Sequence, residues 1–268
     1  MARENTVLLT GRVTEHHTDY NSKDGVYPWG LFLCECARRS FVNEENFIIG
    51  NKRTDEILVH SRNNDLIRNH IRDLEKNDIV FVKGILSSHH VKEKSICPNC
   101  NEPKKGTTFH VEPIDIYKIR HADSDEEAKK IIEDHEDAGN HIIVDGTVCY
   151  IKELWLPDEE REGTARLEFQ IASNRKQRIE EDDDDKRSDY IWVKAFGSDA
   201  IDYADLLYIG SEISINGSIQ SRTFEETVEC PNCGSMYHQI QRTIEIIPYY
   251  IVPIKNCNAE EEYEEEDE

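Results

Sequence analysis

The tetrapeptide Cys97-Pro98-Asn99-Cys100 returns unchanged as Cys230-Pro231-Asn232-Cys233. Each copy starts 13 positions after a glycine that ends a β-like run, Gly84 in "VFVKG" and Gly217 in "ISING". One Cys-x-x-Cys pair is commonplace. Two at the same offset from matching glycines point to a unit built twice, each half carrying one pair. At 268 residues the chain is long enough for two cores.

The strand-like segments line up in order. "NTVLLTGRV" (5–13) answers "NHIIVDGTV" (140–148), "GLFLCECARR" (30–39) answers "RLEFQIASNRK" (166–176), and "DEILVHS" (55–61) answers "SDYIWVKAF" (188–196). Stretches with apolar residues at helical spacing follow, 64–78 and 198–211. Then come the apolar strands "DIVFVKGIL" (78–86) and "SEISINGSI" (211–219), a polar stretch leading to each CPNC, and last strands at 112–119 and 242–251. Strand, strand, strand, helix, strand, long loop, strand is the order of an OB-fold, a five-stranded Greek-key barrel. Another small β-barrel with one helix would read alike. The expected architecture is mainly β: one OB-fold over 1–120, a charged linker helix within 121–139, a second OB-fold over 140–256 and an acidic tail over 257–268. Each CPNC then falls in the loop between strands four and five, which OB-folds use to grip oligonucleotides. In the linker, Ser124 with Glu127 fits a capping box and Gly139 a helix stop, so 125–138 reads as a spacer helix.

The net charge of −23 argues at first against a nucleic-acid binder. Its placement changes that. Eight acids lie in 260–268, six in 180–185, and eight against Lys129 and Lys130 in 123–137. The rest of the chain is close to neutral, which leaves room for a basic groove. Acidic runs of this kind are ordinarily solvated tails or loops. No run approaches the roughly 18 apolar residues of a membrane helix. The start "MARENTVLLTGRV" lacks the apolar core of a signal peptide. Eight cysteines without an export signal suit a reducing cytoplasm, where paired Cys-x-x-Cys serves metal binding or redox chemistry.

The second half resembles the bacterial and phage single-stranded DNA-binding protein family. The resemblance is carried by "LEFQIASNRK", "YIWVKAFGSDA" and "YIGSEISINGSIQSRTF", within 140–224. The first half is similar only through "NTVLLTGRV" and "DIVFVKGIL". The resemblance puts the family's base-stacking aromatics on Tyr190, Phe196 and Phe224, with Ile57, Asn63 and Val91 as their first-half counterparts. The aromatic the family carries after its "A-x-N/S" strand is missing, because "NRKQR" (174–178) stands there. The family ends in an acidic tail with a small apolar tip, whereas this tail ends in "EEEDE", with Tyr263 its lone aromatic. Partner docking by that tip is therefore not implied.

Single strands expose base faces, so a non-specific binder needs flat aromatics beside cations that track phosphates. Tyr190, Trp192, Lys194 and Phe196 share one parity on one strand, which suits a binding platform. The competing reading makes that face the barrel core, with Ile191, Val193 and Ala195 outside. Arg175, Lys176, Arg178 and Arg222 are the second half's candidate phosphate contacts. Arg38, Arg39, Arg62, Lys92 and Lys94 are the first half's, although single surface cations are usually just solvated.

Cys97, Cys100, Cys230 and Cys233 would complete a tetrahedral four-cysteine zinc site if the two loops meet. Local Cys/His sites using His89, His90, His110 or His238, or no metal at all, remain open. Cys34 and Cys36 read as ordinary strand thiols. Neither Cys-x-x-Cys precedes a helix pattern that would lower a thiol pKa. No phosphate-cradling Gly-rich loop, Ser/His/Asp grouping or nuclease-like acidic cluster stands out, so the chain reads as a non-enzyme. The expected role is coating single-stranded DNA in replication, recombination or repair, as a nucleoid-associated cytoplasmic protein. Replication or recombination proteins and further copies of the chain are the expected partners, and no membrane is. An acidic zinc-containing adaptor for other proteins, and an RNA-binding protein, are the alternatives.

Overall fold

The computed structural model describes residues 3–19, 29–38, 54–135, 139–158, 163–174 and 188–257, apart from the side chains at 92 and 93. Ten strands form one continuous hydrogen-bonded sheet. In chain order these are β1 (Asn5–Asp19), β2 (Trp29–Ala37), β3 (Thr54–Ser61), β4 (Asp78–Ile96), β5 (Pro103–His121), β6 (Asn140–Ile151), β7 (Arg166–Asn174), β8 (Ser188–Phe196), β9 (Glu212–Glu229) and β10 (Met236–Lys255). Helix α1 (Asn64–Leu66) runs on as a π-helical turn over Ile67–Ile71; α2 is Asp125–Glu133 and α3 is Gly197–Leu206. Among the described residues no helix is long and apolar enough to cross a membrane.

The pairings repeat. In the first half β1 pairs with β2, β2 with β3, β3 in parallel with β5, β5 with β4, and β4 with β1, which closes a ring. In the second half β6, β7, β8, β10 and β9 close the same ring, again with one parallel pair, β8 with β10. Alternation explains the filling: Ile213 and Ile215 are fully buried while Glu212 and Ser214 are only partly so. One apolar core runs through both rings, from Val7, Leu9 and Phe32 to Val144, Phe169 and Val193.

The rings join through β1 and β6, which run antiparallel with Asn5 opposite Val144, Val7 opposite Ile142 and Leu9 opposite Asn140. Asn5 and Asn140 hold the same place in their halves, so this join is self-complementary about Val7 and Ile142. Each asparagine also clamps its own fourth strand. Asn5 exchanges two 2.9 Å hydrogen bonds with the Leu86 backbone, and Asn140 bonds the Ile219 backbone at 2.6 and 2.9 Å. The matched glycines answer to close approach. A Cβ on Gly84 would lie 2.5 Å from the Glu112 carbonyl oxygen, and one on Gly217 2.3 Å from that of Ile247.

Three expectations need correction. The apolar pattern ends at 86 and 219, yet β4 runs to Ile96 and β9 to Glu229. Beyond the rings, β4–β5 and β9–β10 continue as two-stranded ribbons held by backbone pairing, which polar side chains do not interrupt. CPNC therefore caps two hairpin tips and does not sit in long loops. The register of β3 is the second correction. The parallel bridges Val59–Val111 and Val193–Ile246 make Val59 equivalent to Val193. Glu56, not Ile57, then matches Tyr190, and Arg62, not Asn63, matches Phe196. "DEILVHS" alternates in either frame, and only the core-facing partner strand settles it. Third, the linker helix is shorter, with 136–138 outside the described residues. Ser124 caps it by accepting from the Glu127 N–H at 3.1 Å, as expected. It is also docked, with Ala128 and Ile132 buried against Ile79 and Ala122.

Candidate nucleic-acid interface and metal centre

On β8, Ile191, Val193 and Ala195 face the core, at 2 % exposure or less, while Tyr190 is 47 % exposed. Trp192 and Phe196 share the outer face and are half-buried. The strand pairings build this face crosswise. Tyr150 on β6 stands opposite Gln170 on β7, which stands opposite Trp192 on β8. The Tyr150 and Trp192 rings meet edge to face at 5.9 Å.

The next row is ionic. Lys152 is hydrogen-bonded to Glu168 and lies 4.9 Å from the centre of the Trp192 ring. Arg166 approaches the same carboxylate at 3.4 Å. Lys194 is 5 % exposed and sits 3.3 Å from Glu168 and 3.5 Å from Glu245. It shares the predicted face, but as a buried strut between two carboxylates. Burial would raise the Glu168 pKa, yet hydrogen bonding from Lys152 and the charge of Lys194 hold it below the usual carboxylate value.

Phe224 borders this face from β9, with the Arg222 guanidinium 4.9 Å from its ring centre. Tyr190, Trp192, Lys152, Glu168, Arg222 and Phe224 line a cavity of about 550 Å³. The first half contributes to it through the β4–β5 ribbon, with His90, Lys94 and Phe109. Its charged lining is Lys94, Lys152, Arg222 and Arg242 against Glu168 and Glu245, a local excess of cations in an acidic chain.

The equivalent first-half face is different. Glu56 replaces Tyr190 and pairs with Arg242 of the second half at 3.0 Å. Leu58 replaces Trp192. Lys194 and Glu245 are replaced by His60 and His110, whose rings meet at 5.1 Å. Burial, together with the charges of His110, Arg62 and His89, lowers the His60 pKa to about 3. Arg38 is engaged by a buried carboxylate, at 2.7 and 2.9 Å from the two oxygens of Asp55. Lys94 donates to the Thr107 carbonyl at 2.9 Å. Arg39, Arg175, Lys176, Arg178, the acidic run 180–185 and the tail from 258 lie outside the described residues.

Sequence reasoning missed Tyr150, Lys152, Arg242 and Phe109. The parity of "TVCYIK" could have turned Tyr150 outward, but its place beside Trp192 depends on strand neighbours.

The two hairpin tips meet. Cys97 Sγ lies 3.8 Å from Cys233 Sγ, and Cys100 Sγ lies 3.6 Å from Cys230 Sγ. All four sulfurs fall within 4.8 Å of one another, a cluster that can hold a metal ion. The contacts are reciprocal: Asn99 donates to Cys233 at 3.6 Å and Asn232 to Cys100 at 3.7 Å. Matching turns at Asn101 and Gly234, with φ of 58° and 69°, shape the knuckles. Val228 and Tyr237 are buried beneath them. The Ser235 hydroxyl and amide, with Asn99, pull the Cys233 pKa down to about 5, and Ser235 also lowers that of Cys97. Cys100 goes the other way. The Glu102 N–H lowers it, but burial and the Cys233 and Cys230 thiols outweigh that and push it up to about 11. Cys34 and Cys36 are fully buried strand thiols, as expected.

A family model described as the Single-strand binding protein family matches residues 139–232. The resemblance read from the second half's sequence is borne out over that span, which includes Tyr150, Tyr190, Trp192, Phe196 and Phe224. No curated protein sequence matches the chain. Among solved structures, the chain is similar to wild-type single-stranded DNA binding protein from Thermus aquaticus. The TM-score is 0.57 at 14% identity, over 97% of both chains. A deletion mutant of that protein matches with a TM-score of 0.54 at 15% identity, over 97% of this chain and 99% of the other. At such identities the likeness establishes the fold.

Proposed function

We propose that this chain, with its single-strand binding family segment at 139–232, coats single-stranded DNA without sequence preference. In this reading it is a pair of tandem OB-folds protecting exposed strands during replication, recombination or repair. One observation carries the reading: Trp192 and Phe224 lie in one cavity, each with a cation over its ring, Lys152 and Arg222. Stacking on such rings contributes about 1–3 kcal/mol per base and is indifferent to sequence. The cations beside the rings would meet the phosphates. The aromatic second half is the main contact, and the first half adds its β4–β5 ribbon.

The four cysteines serve this function as one structural zinc centre. A tetrahedral ion about 2.3 Å from each sulfur sets the sulfurs about 3.8 Å apart. Cys97 and Cys233 lie 3.8 Å apart, and Cys100 and Cys230 3.6 Å. Such an ion ties both ribbons together above the cavity. A homo-oligomer is part of the proposal. It is supported by matched exposed residues near the ends of β5 and β10, Tyr117 and Ile119 against Val252 and Ile254.

Fluorescence anisotropy with labelled dT oligomers of several lengths, duplex of equal length and rU oligomers, across a salt series, tests the reading. Tight, length-dependent binding to dT with weak duplex binding is expected. Its salt slope counts the phosphates met. No binding at low salt, with residues 259–268 removed, would overturn it. Tighter binding to rU would move the function to RNA.

A further inference from the structure

We infer that His60, His110 and Glu112 form a second metal site, for a borderline divalent ion such as Zn²⁺, Co²⁺ or Ni²⁺, on the outer face of the first ring. The strand pairing creates it. β3 and β5 run parallel with Val59 opposite Val111, and both valines are fully buried. Their neighbours therefore turn outward together: His60 from β3, and His110 and Glu112 from β5.

One ligand atom from each of the three lies within 4.8 Å of the others. His110 Nε2 is 3.6 Å from Glu112 Oε2, and the two imidazoles stand edge to face at 5.1 Å. His110 and Glu112 are 8 % and 9 % exposed, so the donors are mostly shielded from solvent. Ser61 donates to Glu112 Oε1 at 3.0 Å, which orients the carboxylate and leaves Oε2 on the His110 side. That is the support an outer-shell partner gives a ligand. Two imidazoles and one carboxylate suit a borderline divalent ion, with positions left for water or a further ligand. Bonds of about 2.0–2.2 Å would draw the three atoms closer than they stand, which side-chain rotation supplies.

The other half provides an internal comparison. At the places of His60 and His110 it carries Lys194 and Glu245, an ion pair 3.5 Å apart, and at the place of Glu112 it carries Ile247. There the cation is built in. In the first half the same geometry is furnished with metal donors. The site is separate from the cysteine cluster, which holds none of these three residues. It does not depend on the DNA-binding reading.

Metal-depleted full-length chain, titrated with Co²⁺, tests this. The thiolate site announces itself by sulfur-to-metal charge transfer; a histidine–carboxylate site does not. The expected result is two equivalents per chain, one with and one without that absorption, the second showing nitrogen neighbours by X-ray absorption. His110→Asn and Glu112→Gln should each remove the second equivalent and leave the charge-transfer band intact, with circular dichroism confirming the fold. If His110→Asn does not fold, Glu112→Gln and His60→Gln carry the comparison. A single equivalent that carries the charge-transfer band would overturn the site. So would a second one that survives the substitutions or shows sulfur neighbours.

Discussion

Asp189 accepts a hydrogen bond from the backbone N–H of Ser88 at 2.7 Å, across 101 residues and between the two halves. Asp55 does the same for Ser221 at 2.8 Å. In each case the serine hydroxyl then accepts from the next backbone amide of the aspartate's strand, Tyr190 N–H or Glu56 N–H. Ser88 and Ser221 each stand four residues past the matched glycine, so one latch occurs twice. Asp189 and Asp55 are 0 % and 1 % exposed. Replacing Asp189 by Ala removes a charged acceptor from a buried amide and should cost about 1.5–3 kcal/mol. Calorimetry should show the effect, with the two halves unfolding less cooperatively than in the unmodified chain.

Trp192→Ala and Phe224→Ala should each weaken dT binding by about 1–3 kcal/mol, roughly five- to 150-fold. Leu58→Ala, at the first-half place of Trp192, should leave it nearly unchanged. Anisotropy titration at fixed salt compares the three.

Lys194 separates packing from phosphate contact. Lys194→Met should lower stability by up to about 3 kcal/mol, less than a fully broken buried pair, because Glu168 keeps Lys152 and Arg166. The salt slope of DNA binding should stay the same. Arg222→Ala should do the reverse, reducing that slope by about one with little change in melting.

With zinc at the four cysteines as proposed, chelation should lower the melting temperature. At free metal a thousandfold above Kd, binding stabilises by about 4 kcal/mol. Because the Cys100 pKa is pushed up to about 11, the ion must displace its proton. Affinity should therefore rise about tenfold per pH unit for that proton between about pH 7 and 9. Competition with a chromogenic chelator across that window measures it, and Cys100→Ser should abolish the site.

Asp125 reports on the linker helix. Hydrogen bonds from Asn77 and Lys76 hold its carboxyl at about 2. A folded-state value below the unfolded one, about 4, stabilises above that pH and is lost as pH falls from about 4 through 2. The protection factor of the Ile132 amide, taken against the intrinsic exchange rate at each pH, should fall over that window, and Asp125→Asn should flatten the dependence.

Much of this was legible in one sequence. The doubled unit, the strand order and the outward parity of Tyr190 follow from repetition and period-two alternation, which are local. Depth was not: parity put Lys194 on the right face, but only Glu168 and Glu245, brought in from β7 and β10, bury it. The ribbons look like loops in the sequence because backbone pairing needs no apolar pattern. Tyr150 and Lys152 went unseen because their importance lies in which strand stands next to β8. The first-half register slipped by one residue for the same reason.

The join about Val7 and Ile142 has the form of a symmetric dimer interface, yet both sides belong to one polypeptide. Two identical subunits would have to wear the same outer face. Here each face is encoded separately, so Glu56, Leu58, His60 and His110 can stand where the other half has Tyr190, Trp192, Lys194 and Glu245. Covalent linkage keeps the pair together at any dilution, and it frees one half to acquire a task the other does not share.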